Sequence, residues 1–392
     1  MADPRRQVEV EGTIAYGNVA DVELSSEGGS PVIAFAADAK GGPERGWFCF
    51  RVVQPRRTRR FSKPFTLVLK HLETMLGGGE PSAIQPVVRY AAEEWRRLPP
   101  GKPAPTDDGR MGAWWTLEPP VSFVDVALCY PYGQAEAAAF AQESGGYRVD
   151  TIGLSEGGRP MIRLANDYGT PREGAGEGGA GARGRRPGVY LLARQHAGET
   201  PGSWVLEGVL RRLAEAEAGA GAAGAGPIVW AVPFVDVDGV EAGRYGKDHP
   251  PHDFNRAWGR PPMRHEAMVM QRDAERWAAR CAPALMLDFH APGIGETEGV
   301  YAYRTADGED KGWGALIGEH VGAFAADRFV RCADYPSRYD SGRATRWFEE
   351  RIGCPTLAIE TPYARCGERV MSRDDYREVG RRIGEAALTR LG

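Results

Sequence analysis

Three short apolar runs constrain this chain more than any other feature, because chemically active residue types stand at or just beyond their ends. Residues 189–193, 285–289 and 356–359 are apolar at nearly every position and lack the alternation of a half-exposed strand. Such runs fit strands buried on both faces of an α/β sheet covered by helices. Stretches with helical patterning (135–143, 204–217, 266–281, 314–326 and 373–391) alternate with these runs and with 228–234, as an α/β layer arrangement requires. His196 and Glu199 follow the first run, His290 follows the second, and Glu360 follows the third. Ligands of open α/β sheets bind at the carboxyl edge, so these four side chains are expected to converge there.

The residues before about 125 have another texture. Segments 8–14, 32–36, 47–53, 65–69 and 121–128 are short apolar or alternating runs. Turn signals such as Gly77-Gly78-Gly79-Glu80-Pro81 and Leu98-Pro99-Pro100-Gly101 separate them. That pattern favours a β-sandwich. It changes at Cys129-Tyr130-Pro131-Tyr132-Gly133, so residues 1–128 and 129–392 read as two domains, in keeping with a 392-residue chain. Two Gly/Ala-rich inserts interrupt the second domain. Residues 169–187 read as a surface loop and 218–226 as the extended end of a helix.

Composition removes several classes of function. A formal net charge of −4, from 49 basic and 53 acidic residues, gives no general pull toward nucleic acid or an anionic membrane. No apolar run reaches the roughly 18 residues of a membrane span. The first residues lack the apolar core of a signal peptide. Six cysteines without a C-x-x-C pair read as reduced thiols, which argues for the cytoplasm and against a cysteine metal site. The run Pro55-Arg56-Arg57-Thr58-Arg59-Arg60 reads as a solvated hairpin, with a docking patch for an acidic partner as the alternative.

Two imidazoles and one carboxylate hold zinc while leaving a position open for water, so His196, Glu199 and His290 are candidate ligands for one Zn2+ per chain. In His196-Ala197-Gly198-Glu199, Gly198 is expected to bend the backbone so that both ligands face one point. A helix starting near Pro201 would favour the ionised carboxylate through its dipole. Asp288, two residues before His290 on the same strand face, suits the second ring N–H of that histidine. Glu360 ends an apolar strand, where an unpaired carboxylate is costly unless it has a task; moving the protons of a water is such a task. Asn255 and Arg256 offer an amide beside a guanidinium fork, suited to a substrate carboxylate or, taken alone, to a polar surface loop.

These residues together resemble the zinc metallocarboxypeptidases of the carboxypeptidase A type, and most closely their cytosolic carboxypeptidase branch. His196-Ala197-Gly198-Glu199-Thr200 through Ser203-Trp204-Val205 is similar to that branch's H-P-G-E-T-x-x-S-W-V. Asp238-Gly239-Val240 with Asp253-Phe254-Asn255-Arg256 is similar to its D-G-V and D-L-N-R pair. Asp288-Phe289-His290 is similar to its D-L-H, and Ser341-Gly342-Arg343 through Trp347 to its T-G-R-x-x-x-W. The segments around Trp47, Phe65 and Cys129 resemble the β-sandwich that precedes the catalytic domain in that branch. The resemblance implies a mixed-sheet α/β/α metallocarboxypeptidase domain behind a small N-terminal β-sandwich.

It also implies roles. His196, Glu199 and His290 would bind zinc, Glu360 would act as base and then acid, and Asn255 with Arg256 would hold the terminal carboxylate. The family's electrophilic arginine falls on Arg244 or Lys247, because Gly243-Arg244-Tyr245-Gly246-Lys247 departs from the branch's G-N-Y-R. Its mobile tyrosine falls on Tyr339 or Tyr363. Arg343, with Arg346 as a competitor, would line a pocket for acidic terminal residues. The implied activity is removal of the C-terminal residue from a peptide or protein tail. A zinc amidase or deacylase of the same fold, acting on small N-acyl amino acids, is one alternative. A non-catalytic binding protein on this scaffold is the other.

Overall fold

The computed structural model describes residues 8–54, 63–91, 93–106, 109–171, 185–220, 226–306, 308–333 and 342–392. The basic run 55–60 and Tyr339 lie outside these residues, as does most of the insert 169–187. Among the described residues the central sheet has eight strands. They are Arg148–Leu154 (β1), Pro160–Ala165 (β2), Pro187–Ala193 (β3), Ile228–Val232 (β4), Ala282–His290 (β5), Val300–Arg304 (β6), Ala325–Cys332 (β7) and Thr356–Glu360 (β8). Their spatial order is β1-β2-β4-β3-β5-β8-β6-β7. The middle pairs β4–β3, β3–β5 and β5–β8 are parallel, as is β6–β7, and the remaining pairs are antiparallel.

The apolar runs occupy the centre because only there are both faces covered. Val189 through Ala193 of β3 and Leu285 through Phe289 of β5 are buried at every position. Helices Gln134–Ser144 (α1), Thr200–Ala220 (α2), Val237–Ala242 (α3), His265–Ala278 (α4), Trp313–Val321 (α5), Ala344–Arg351 (α6) and Arg373–Leu391 (α7) complete the layers. The expected helix over 314–326 is shorter. Gly322, at φ +59°, follows the last turn of α5, and the chain is in β7 from Ala325. The edge strand β1 gave no apolar signal, since none of its residues is buried.

Ahead of this sheet stand two five-stranded sheets built from residues 9–127. They meet through aromatic rings, with Phe35 of one sheet 4.6 Å from Phe50 of the other. The strand Ala20–Glu27 escaped the sequence reading because it is largely exposed and polar, and it is held by pairing with Ser30–Ala36. All six cysteines are free thiols, five buried and Cys332 exposed. Among the described residues no helix is long and apolar enough to cross a membrane.

α2 starts directly after the turn that holds His196 and Glu199, and the C-terminal α7 packs along it. The two backbones touch at glycines. A Cβ on Gly380 would lie 2.0 Å from the Val205 carbonyl oxygen, and one on Gly208 2.1 Å from that of Arg377. Neither helix can retreat without opening the core beneath it. Gly380→Ala is therefore expected to lower stability by about 1–3 kcal/mol, the usual penalty for overpacking. Thermal or urea denaturation would measure the loss, and an unchanged midpoint would show that the helices separate freely.

Candidate metal centre

The carboxyl ends of β3, β5 and β8 are adjacent, and this neighbourhood assembles the site. Ala193 stands opposite Phe289 and Phe289 opposite Ile359, so His290 and Glu360 pair directly in register. His196 and Glu199 lie in the turn between β3 and α2. Arg194, the residue after β3, takes a left-handed φ of 61°. Its buried guanidinium donates to the carbonyl oxygens of Ala197 and Tyr132 and thereby clamps the turn. This revises the expectation for Gly198, which is absent from the positive-φ residues. Gly198 is needed for close approach instead, since a Cβ there would lie 2.8 Å from the Tyr245 ring and 3.2 Å from Cβ of Trp47.

Glu199 is fully buried and sits between the two histidines. Its Oε1 is 2.8 Å from Nδ1 of His196, and its Oε2 is 2.8 Å from Nδ1 of His290. Ligand atoms of all three residues lie within 4.8 Å of one another. Behind the rings, Nε2 of His196 is 3.2 Å from the Asp253 carboxylate and Nε2 of His290 is 2.9 Å from Oδ2 of Asp288. Both imidazoles thus turn Nδ1 inward and back Nε2 with a carboxylate, the orientation that raises the basicity of a metal-bound histidine. This donor set fits a divalent ion of the zinc type.

The charges are strongly coupled. Burial opposes a charged His196, but Glu199 and Asp253 outweigh it and lift its pKa to about 9. Burial would raise the Glu199 carboxyl, yet His196, Lys247 and His290 hold it well below the ordinary range. For Glu360, burial prevails and pushes the carboxyl up, against the pull of His290 and Lys247. Its Oε2 is buried with no hydrogen-bond partner among the described residues.

Of the two candidate cations, Lys247 reaches the cluster, with Nζ 3.1 Å from Oε1 of Glu199. Arg244 instead acts on Asp236. Asn255 is buried, its amide nitrogen 3.3 Å from Nε2 of His290, and its Oδ1 accepts from the Ala344 backbone at 3.2 Å. Arg256 is half-buried and donates to the Asn255 carbonyl oxygen at 2.8 Å. Arg343 is buried at the start of α6, beside this turn. Arg346 pairs with Glu350 at 2.5 Å on the outer side of the same helix. Tyr363 is buried, its hydroxyl 3.4 Å from the Gly198 carbonyl oxygen, which makes it part of the packing beneath the turn.

Sequence reasoning missed several supports. Asp253 stood inside a quoted motif without a role, and nothing local marks it as the partner of His196. Tyr301 faces Glu360 across the β6–β8 pair and donates to Glu296 at 2.9 Å. The N-terminal sheets brace two loops of the site. Asn18 donates to the Gly243 carbonyl oxygen at 2.7 Å, and the Ile294 backbone donates to the Leu76 carbonyl oxygen at 2.8 Å.

No family model matches the chain. A metallo-carboxypeptidase from Burkholderia cenocepacia shares its architecture with a TM-score of 0.75 at 19% identity, over 98% of each chain. A metallo-carboxypeptidase from Pseudomonas aeruginosa, in complex with (2-guanidinoethylmercapto)succinic acid, gives 0.72 at 19% identity, over 97% of this chain and 98% of that one. In sequence, 121 residues, 30% of the chain, are 30% identical to cytosolic carboxypeptidase 1 of Gallus gallus and 31% identical to that of Homo sapiens. The matched stretch spans only 10% of those relatives' length. The fold is that of the metallo-carboxypeptidases.

His290→Ala removes one of the three converging donors. Elemental analysis of the purified variant is expected to find the bound metal lost, with any hydrolytic activity. Stoichiometric metal in a folded His290→Ala protein would refute the ligand assignment.

Proposed function

We propose that this chain is a zinc carboxypeptidase that removes the C-terminal residue from a peptide or protein tail. Glu360 carries the reading: a carboxyl group raised by burial, its Oε2 without a hydrogen-bond partner among the described residues, stands in register beside His290 of a His–Glu–His cluster. Zinc bound to His196, Glu199 and His290 would supply Lewis acidity toward the scissile carbonyl and an acidified water. Glu360 takes a proton from the attacking water as its oxygen adds to the carbonyl carbon, and returns that proton to the amine as the C–N bond breaks. Burial raises its pKa above the ordinary carboxyl range, which strengthens it as the acceptor of that proton. Lys247, close enough to Glu360 for their charges to interact, steadies the developing oxyanion as a compact point charge.

Arg256 meets the terminal carboxylate of the substrate, while Asn255, engaged with His290 and Ala344, shapes the turn that presents it. Residues 1–128 form a β-sandwich domain and 129–392 the catalytic domain. The finer part of the reading is a preference for terminal glutamate or aspartate. Arg343 is buried next to the Asn255–Arg256 turn, with its neighbour Gly342 accepting from the Trp258 backbone at 2.9 Å. A guanidinium there offers charge-assisted, two-pronged hydrogen bonds to an acidic side chain, which an apolar side chain cannot accept.

Glu360→Gln keeps the shape of the side chain but cannot take a proton. It should retain metal and fold while losing turnover on the order of 10²–10⁴-fold, the usual worth of a general base. Near wild-type turnover would assign the base to another residue. A panel of C-terminal peptides tests recognition. Free acids ending in glutamate or aspartate should be cleaved faster than those ending in leucine, phenylalanine or lysine, and C-terminal amides should not be cleaved. Arg343→Ala should narrow the gap between acidic and apolar termini. Equal rates on acids and amides would overturn exopeptidase action, and a preference for aromatic or basic termini would overturn the acidic pocket alone.

A further inference from the structure

The nitrogen of His290 that faces away from the cluster begins a hydrogen-bonded chain leading out to the loop that carries Asn255 and Arg256. Asp288 Oδ2 lies 2.9 Å from Nε2 of His290 and accepts from Nε2 of Gln195 at 2.5 Å. Oε1 of Gln195 accepts from the indole Nε1 of Trp258 at 2.7 Å. Gln195, Asp288 and Trp258 are all fully buried.

The two ends of this chain dictate its middle. An indole N–H only donates and a carboxylate only accepts, so the group between them must accept on one side and donate on the other. The Gln195 amide does both, and its two partners fix which way it points. Oδ1 of Asp288 is buried with no hydrogen-bond partner among the described residues. The carboxylate is therefore anchored through Oδ2, by Gln195 on one side and His290 on the other. Gln195 also precedes His196, so one short segment supplies a ligand and holds the support of another. At the outer end, the Trp258 backbone donates to the Gly342 carbonyl oxygen at 2.9 Å, tying in the segment before α6.

We propose that Gln195 is a positioning residue: through Asp288 it sets the angle at which His290 presents Nδ1, and through Trp258 it ties that angle to the loop of Asn255 and Arg256. The proposal rests on the metal-centre reading above. Gln195→Met preserves length and volume but cannot donate to Asp288 and accepts only weakly.

With zinc alone as the probe, chelator competition should show a dissociation constant raised roughly tenfold in Gln195→Met, the scale on which outer supports of metal ligands act. The cobalt-loaded variant should show a shifted visible spectrum, which a purely structural role would leave unchanged. Trp258→Phe, which removes only the outer donor, should move both readouts in the same direction by less. Zinc affinity within twofold of wild type together with an unchanged cobalt spectrum would overturn the proposal. If Gln195→Met does not fold, an unchanged cobalt spectrum in Trp258→Phe overturns it equally. Loss of zinc in His290→Ala with no effect in Gln195→Met would sink the positioning role alone. Zinc retained in His290→Ala would sink the metal centre with it.

Discussion

A carboxylate with no access to water dominates this molecule. Leaving Glu199 ionised at that depth would cost several kcal/mol without compensation, and the surrounding chain supplies it. Two imidazoles and Lys247 converge on its oxygens. The imidazoles then need acceptors behind them, provided by Asp253 and Asp288. Asp253 is held in turn by the backbone N–H groups of Asn255 and Asp248 at 2.7 and 2.8 Å. Each layer answers the electrostatic demand of the layer inside it.

The balance that results favours a cation. Glu199, Asp253, Asp288 and Glu360 are four carboxyl groups, against Lys247, the Arg194 and Arg256 charges felt at Glu199 and Asp253, and two histidines that carry charge only when protonated. Without an ion, the carboxylates hold His196 protonated up to about pH 9. A divalent ion would displace the two imidazolium protons and replace them charge for charge, so its binding would release protons.

The parts of this arrangement that were legible in the sequence share one property: they are local. An apolar run with His290 or Glu360 at its end states both the strand and the edge where its chemistry stands. The His196–Glu199 spacing sits within one turn. Asp288 was legible as the support of His290 because strand alternation places i and i+2 on one face. The rest depends on distant segments meeting. Whether Arg244 or Lys247 faces the cluster is decided by the glycines that precede each of them, Gly243 and Gly246, which both take positive φ, 67° and 93°, and redirect the chain. The role of Gly198 was misjudged for the same reason, since the Tyr245 and Trp47 side chains that crowd it come from elsewhere. Edge strands such as Arg148–Leu154 have too little buried surface to leave an apolar pattern, and only their pairing reveals them.

The grip of the N-terminal sheets on the site bears on how such a chain can diversify. Asn18 and Leu76 satisfy backbone groups of loops that border the cluster, and Trp47 packs behind the turn of His196 and Glu199. Detaching those sheets would orphan buried polar groups at about 1–3 kcal/mol each, as well as bare the Tyr245 ring. The two halves are therefore not interchangeable cassettes. A substitution in the loops around residues 18, 47 or 76 disturbs the loops that border the His–Glu–His cluster, so these remote positions and the cluster stand or fall as one mechanical unit.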